Sequence, residues 1–233
     1  MGKKTMTTGT NDDVAEEMEQ TRSPECGATP RSVERDYWNE RYAAKKLVWT
    51  AEANRFLVAE AADLLPGRAL DLAAGEGRNA VWLAERGWSV CAVDFSDVAL
   101  EKGKQLAAAR KVADKIDFQV ADLRAYEPES GSFQLVMLFY LQIPQTELGP
   151  ILARAAHAVA PGGTLLVVAH DSANLEHGYG GPQDPDVLYT AEQVVAALDG
   201  ALEIEKAGPV ERPVETEGGV NVAIDCLVRG KRP

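Results

Sequence analysis

The stretch Ala69-Leu70-Asp71-Leu72-Ala73-Ala74-Gly75-Glu76-Gly77-Arg78-Asn79 reads as a strand, a glycine turn and the start of a helix. Glycines let a backbone turn sharply and approach a ligand closely, and the free N–H groups at a helix N-terminus accept negative charge. In open α/β sheets such a turn lies at the carboxyl ends of the strands, at the switch point where ligands bind. Asp94 closes the next strand 19 residues after Gly75, where a carboxylate can accept both hydroxyls of a ribose. Its other reading is a partner for the following helix, whose cap is Ser96. Asp71, inside the first strand, is placed to support the loop or to meet an amino group of a cofactor. A nicotinamide site reads G-x-G-x-x-G. Here the third position is Ala80, which some dinucleotide sites tolerate, so the loop by itself leaves the cofactor open.

Outward from that stretch the chain alternates. Asn54–Leu65 reads as a helix stopped by Pro66-Gly67, Ala69–Ala73 as a strand, Asn79–Arg86 as a helix and Ser89–Asp94 as a strand. Then come a helix over Asp97–Lys111, strands over Ile116–Ala121 and Phe133–Leu138, a helix over Leu148–Val159 stopped by Pro161-Gly162-Gly163, and a strand over Thr164–His170. A further helix starts after Thr190, which has capping-box spacing with Gln193, and stops near Gly200. Leu202–Pro209 and Val220–Arg229 read as two strands joined through Gly218-Gly219. Strands alternating with helices predict an α/β fold: a Rossmann-like, doubly wound, mostly parallel sheet covered on both faces, with an antiparallel C-terminal hairpin strand.

The 233 residues are 45% hydrophobic and 26% charged, enough for one globular domain, placed over 31–233. Residues 1–30 are poor in large apolar side chains and read as a disordered leader. The net charge of −12 disfavours a nucleic-acid substrate, because a phosphate backbone is repelled without a local basic patch. A small molecule is the expected partner, with no membrane and with a monomer or homodimer as the assembly. Cys26, Cys91 and Cys226 show neither metal nor disulfide spacing, so no metal is expected and the setting is a reducing cytoplasm. No signal peptide and no run of transmembrane length is visible.

D-L-A-A-G-E-G-R-N followed by V-D-F-S resembles motif I and the ribose loop of class I methyltransferases. It resembles more narrowly the small-molecule branch around tellurite-resistance and thiopurine methyltransferase-like proteins. Ala121-Asp122-Leu123, Pro161-Gly162-Gly163, the run Gly180–Pro185 with Leu188-Tyr189-Thr190, and the upstream Tyr37–Tyr42 segment extend that resemblance over roughly residues 37–229. In that family a terminal hairpin separates the sheet from the plain dinucleotide-binding one. The resemblance implies S-adenosylmethionine as cofactor and S-adenosylhomocysteine as product. It puts Asp71, Ala73, Gly75 and Gly77 along the methionine part, Asp94 on the ribose, Phe95 beside the adenine, and Asp122 and Leu123 at the adenine amino group and ring. Asn79 belongs to the same loop. Arg78 either contacts the cofactor carboxylate or points into solvent.

Methyl transfer from a sulfonium is an in-line displacement, in which the protein orients, excludes water and sometimes supplies a base. Residues after strands four and five are the candidates. Phe139-Tyr140-Leu141-Gln142-Ile143-Pro144 is mostly apolar, fit to hold a hydrophobic or heteroaromatic acceptor, and lacks the Asn/Asp-Pro-Pro-Tyr/Phe motif of nucleic-acid amine methyltransferases. His170 is the general-base candidate, and Tyr140 is the second catalytic candidate. Its other reading is plain packing; that of His170 is a strand-end histidine satisfied by backbone. His157 is expected to be structural. The aromatic cluster Trp38, Tyr42 and Trp49 is either a lid or a helix packed on the sheet. Two other functions share these residues: a cofactor-binding protein without turnover, and a nicotinamide-dependent oxidoreductase. The acceptor atom, S, O or N, is open.

Overall fold

The computed structural model describes residues 34–233. The expected leader over residues 1–30 and Cys26 lie outside the described residues.

Two short helices come first, α1 (Arg35–Ala43) and α2 (Arg55–Ala61), then the alternating body. Its strands are β1 (Arg68–Leu72), β2 (Ser89–Asp94), β3 (Ile116–Val120), β4 (Phe133–Phe139) and β5 (Val159–His170). Its helices are α3 (Arg78–Glu85), α4 (Asp97–Ala109) and α5 (Gln145–Ala158). After β5 come α6 (Asn174–His177), α7 (Ala191–Ala197), β6 (Glu203–Thr216) and β7 (Gly219–Lys231). The seven strands lie in the order β3-β2-β1-β4-β5-β7-β6. β1 to β5 are parallel, and β7 alone runs antiparallel, between β5 and β6. The α/β sheet with its closing hairpin is therefore as the alternation predicts.

Period-two alternation divides the central strands between the two faces of the sheet. Leu70, Leu72, Val136 and Leu138 pack with Leu148, Ile151 and Leu152 of α5 and Val194 of α7. Ala69, Leu135 and Met137 pack on the other side with Leu57 of α2 and Val81 and Leu83 of α3. Thr190 caps α7 through a complete capping box with Gln193.

The larger departures from the sequence expectation fall at four boundaries, one of them β5, which starts at Val159 and runs through Pro161-Gly162-Gly163 instead of starting at Thr164. α2 ends at Ala61 rather than Leu65; Leu64 N–H bonds back to Ala61 in a turn, and Leu65 is 86% exposed. α5 starts three residues early, at Gln145, because Pro144 fixes an extended backbone at its N-cap. β6 runs on to Thr216, through Pro209 and Pro213, instead of stopping at Pro209. Proline removes a ladder donor, but β6 is the edge strand and pairs only with β7, so the missing N–H is tolerated. β7 leaves β5 at the pair His170–Asp225, and its residues 219–224 pair with β6 alone. The tip of the hairpin thus overhangs the carboxyl end of the sheet. α1 packs against α4 rather than on the sheet, with Arg35 and Asn39 both bonded to Asp97 Oδ1.

Candidate active site

A cavity of about 360 Å3 opens at the carboxyl ends of β1, β2, β4 and β5, across the point where the strand order reverses between β1 and β4. Ala73 and Tyr140, which follow β1 and β4, both have left-handed backbones (φ 61° and 57°) and both line it. Non-glycine residues held in that region store strain that clusters at functional sites. Here they turn the chain out of two adjacent strands to open the crevice.

The cofactor end is built around two buried acids. Asp94 accepts the Gly75 N–H on Oδ2 and the Ser96 N–H on Oδ1, each at 2.8 Å. Ser96 in turn caps α4 through the Ala99 N–H. The acid therefore holds the helix start and also fastens the glycine loop. A carboxylate has about four lone-pair sites, so both oxygens keep capacity toward the cavity that Asp94 lines. Burial pushes its carboxyl up to about 6, against the pull of the Ser96, Gly75 and Phe95 N–H groups. Asp71 lies beneath the wall, 1% exposed, and neither oxygen is hydrogen-bonded to the protein. Burial and then the charge of Asp94 push it up to about 8; Arg78 pulls the other way, as does, more weakly, the Ala80 N–H, which lies near the carboxyl but outside hydrogen-bond geometry. A buried acid without a partner is costly and suits a cationic ligand group.

Ala73, Gly75, Arg78 and Asn79 line the cavity, as do Phe95, Asp122 and Leu123. Gly77 does not. It caps α3 with φ 71°, and a Cβ there would stand 3.0 Å from Phe118 and 3.3 Å from Gly103 of α4, so its bareness serves helix packing. Arg78 turns inward, reaching Thr50 Oγ1 at 3.4 Å, and burial lowers its pKa. Asn79 accepts the Asn54 N–H at 2.9 Å and ties α2 to α3. Asp122 is half-exposed and paired with Arg124.

The aromatic segment forms a wall of the cavity: Trp38, Tyr42 and Trp49 all line it. Glu76 holds this segment. Its carboxylate, 3% exposed, accepts the Val48 and Trp49 N–H groups at 3.0–3.1 Å and pairs with Lys102 at 3.2 Å. Lys102 also donates to the carbonyls of Tyr42 and Lys45. A Cβ on Gly75 would meet the Tyr42 hydroxyl at 2.9 Å, so glycine lets the wall close on the loop.

The far end of the cavity joins Tyr140 and His170 with two residues that sequence reasoning missed. Asp225, fully buried on β7, accepts from the Tyr140 hydroxyl (2.8 Å), Arg212 Nε (2.7 Å) and His170 Nδ1 (3.2 Å). The Tyr140 and His170 rings stand 4.7 Å apart. His170 is not satisfied by backbone alone, and the Tyr140 hydroxyl points to Asp225 rather than to the surface. Asp225 could have been noticed as a lone acid in an apolar strand; Arg212 lies beyond the expected end of β6 and gave no signal. Asn54 and Glu76 were also missed, the latter between the two quoted glycines. His157 is exposed on α5 and far from this group in chain and role. Leu123, Phe139, Leu141, Ile143 and Ile151 give the intervening wall its apolar character.

Residues 69–163 match the methyltransferase domain family. A probable tocopherol O-methyltransferase from Oryza sativa subsp. japonica is 28% identical over 120 residues, 51% of this chain and 33% of that protein. A 2-heptyl-1-hydroxyquinolin-4(1H)-one methyltransferase from Mycobacteroides abscessus is 29% identical over 119 residues, 50% of this chain and 52% of that protein. The matched region thus spans a third to a half of these curated relatives. The structure of TehB from Haemophilus influenzae superposes with TM-score 0.65 at 15% identity, over 85% of this chain and 67% of that one. The chain carries a methyltransferase domain, and its fold is that of the class I, S-adenosylmethionine-dependent methyltransferases. S-adenosylmethionine is the cofactor of that class, and the residues present fit it. The unpartnered Asp71 suits its amino group, the open lone pairs of Asp94 its ribose, and the apolar Phe95 and Leu123 its adenine. Among the described residues no helix is long and apolar enough to cross a membrane.

Proposed function

We propose that this protein transfers the methyl group of S-adenosylmethionine to a small hydrophobic or heteroaromatic molecule. The observation that carries the reading is one cavity with two chemically distinct ends. At one end are a ribose-type acid, Asp94, and a glycine turn, with the buried Asp71 behind the lining; at the other is an apolar wall closed by a polar cluster. The cofactor supplies an electrophilic methyl group when bound. The chain's part is to hold it through Asp71, Ala73, Gly75, Arg78, Asp94, Phe95, Asp122 and Leu123, and to exclude water with Trp38, Tyr42 and Trp49.

The small-molecule branch resembling tellurite-resistance and thiopurine methyltransferase-like proteins remains our reading of the specificity. The names of the two curated relatives, a tocopherol and a hydroxyquinolone enzyme, favour a ring-bearing acceptor. The net charge of −12 speaks against nucleic acid as the substrate. A cytoplasmic setting belongs to the same reading and rests on the free thiols of Cys91 and Cys226.

Isothermal titration with S-adenosylmethionine, S-adenosylhomocysteine and NAD tests the cofactor. Binding of the first two is expected; NAD binding without them would make the protein an oxidoreductase. Release of S-adenosylhomocysteine with phenol, thiol and heterocycle acceptors then tests turnover. Cofactor binding without release against any of them would favour the binding-protein alternative.

A further inference from the structure

We propose that His170 and Asp225 form a proton-accepting pair at the acceptor end of the cavity, and that the acceptor is a weakly acidic hydroxyl of phenol or enol type. The proposal rests on the methyl-transfer reading above.

The argument begins with a carboxylate in an unusual place. Asp225 stands in the apolar run Ala223–Val228, directly opposite His170 in the β5–β7 ladder, and is 0% exposed. Three side chains from three other elements converge on it. Tyr140 and Arg212 Nε reach Oδ2 at 2.8 and 2.7 Å; His170 Nδ1 and Arg212 Nη2 reach Oδ1 at 3.2 and 3.4 Å. Burial, the largest influence, would raise its pKa, but His170 and Arg212 outweigh it and hold the acid below its ordinary value. It is therefore ionised at neutral pH, and an ionised carboxylate only accepts hydrogen bonds.

That constraint fixes the imidazole. Nδ1 must carry the hydrogen, so Nε2 of the neutral ring is left with its lone pair. Among the described residues Nε2 has no hydrogen-bond partner, and His170 lines the cavity. This is the arrangement of a general base oriented by a buried acid. Asp225 is fully buried and does not line the cavity, so it acts as a positioning residue, and Tyr140 and Arg212 hold it in turn.

The class of acceptor follows from what such a base improves. A thiol, with an ordinary pKa near 8.5, reacts as its anion with little help. A phenol, near 10 by the tyrosine value, is weakly ionised at neutral pH but within reach of an imidazole. Phe139, Leu141 and Ile143 offer an apolar wall to its ring, and Arg212, which lines the same cavity, brings positive charge to the end where the acceptor oxygen gives up its proton. In the step, an oxygen lone pair forms the new O–C bond to the methyl carbon while the O–H proton passes to His170 Nε2. The C–S electron pair stays on sulfur, leaving a methyl ether, a neutral thioether and an imidazolium paired with Asp225. The charged and titratable groups facing His170 are Asp225 from β7, Arg212 from β6, Tyr140 after β4 and its chain neighbour Asp171, which is buried and bonded to the Ala173 N–H. Arg78 stands further off, close enough to act on Tyr140 and Arg212.

Nitrogen-15 NMR of the three histidines, assigned with His→Gln variants, reads the tautomer without any cofactor. His170 is expected as the Nδ1–H form at pH 8, and Asp225→Asn should depopulate that form. A wild-type His170 in the Nε2–H form overturns the proposal, whatever the variant's folding. In parallel, phenol and thiol acceptors are compared with S-adenosylmethionine as donor. His170→Gln and Asp225→Asn should slow phenol turnover at least ~100-fold and shift its pH profile, with S-adenosylhomocysteine affinity kept within about twofold. Phenols inert in the wild type, or methylated equally well by both variants, also overturn it. If S-adenosylhomocysteine fails to bind the wild type, the methyltransferase reading itself falls, and the NMR result stands apart from it.

Discussion

The backbone N–H of Gly75 donates to Asp94 Oδ2 at 2.8 Å, so the glycine turn after β1 and the acid that ends β2 are one structural unit. Asp94 is at once loop anchor, helix-start partner and cavity wall. Asp94→Ala therefore removes a charged hydrogen-bonding site from the ligand and frees two backbone donors together. Affinity for S-adenosylhomocysteine should fall by about 1.5–3 kcal/mol, read by titration calorimetry. An unchanged affinity would take Asp94 out of the site.

Asp71 gives a pH prediction with a definite sign. Its carboxyl is raised from 3.8 to about 8 in the folded chain, so the folded state holds the proton more tightly than the unfolded one. The stability this contributes is complete below about pH 4 and is lost as pH rises through about 8. Asp94, raised to about 6, adds the same sign over a lower window. The melting temperature of Asp71→Asn should thus fall less than wild type between pH 4 and 8, and exceed it at pH 8. A ligand ammonium favours the ionised acid, so S-adenosylhomocysteine affinity should rise from pH 6 to 8 in wild type and not in the variant. Parallel melting curves for the two proteins would rule out the buried, partnerless acid.

The parallel body was legible because each strand is a short apolar run closed by Gly, Pro or a polar residue, and each covering helix carries its own stop. Gly75 and Asp94 were legible as neighbours in one crevice because the β1 turn and the end of β2 lie side by side in any sheet of this type. The polar cluster was only half legible. His170 and Tyr140 end strands, where function is expected, but their partners come from a hairpin paired across the sheet. Asp225 looks like a misplaced charge until β7 is set beside β5, and Arg212 sits past a proline that would stop any strand except one at an edge. Glu76 was hidden differently: its partners Val48, Trp49 and Lys102 bond through long-range contacts that no spacing rule encodes.

Glu76 makes its own prediction. Glu76→Gln keeps the shape but offers one acceptor oxygen where the carboxylate offers two, and turns an NH2 toward a backbone donor. Lys102, 17% exposed, loses its counter-ion. Stability should fall by about 2–3 kcal/mol, measured by urea denaturation. Tryptophan emission should change, because the Trp49 N–H is one of the backbone donors that Glu76 holds. A variant with unchanged fluorescence and stability would mean that the segment is held elsewhere.

Gly162 and Gly163 precede the apolar part of β5 and look equivalent in sequence, but the structure asks for glycine at each for a different reason. Gly162 has φ 74°, and a Cβ there would meet nothing within 4 Å, so only backbone conformation demands it. At Gly163 a Cβ would stand 2.9 Å from the Ala160 carbonyl and 3.0 Å from the Phe133 carbonyl, where β4 and β5 shift register. Gly162→Ala should cost about 1–2 kcal/mol, and Gly162→Asn less, because asparagine tolerates the left-handed region. Gly163→Ala should cost about 1–3 kcal/mol through overpacking, and Gly163→Asn at least as much, since its Cβ meets the same two carbonyls. Chemical denaturation of the four variants checks the pattern: asparagine relieves the first position and not the second. Relief at both would mean that the β4–β5 junction yields enough to admit a side chain.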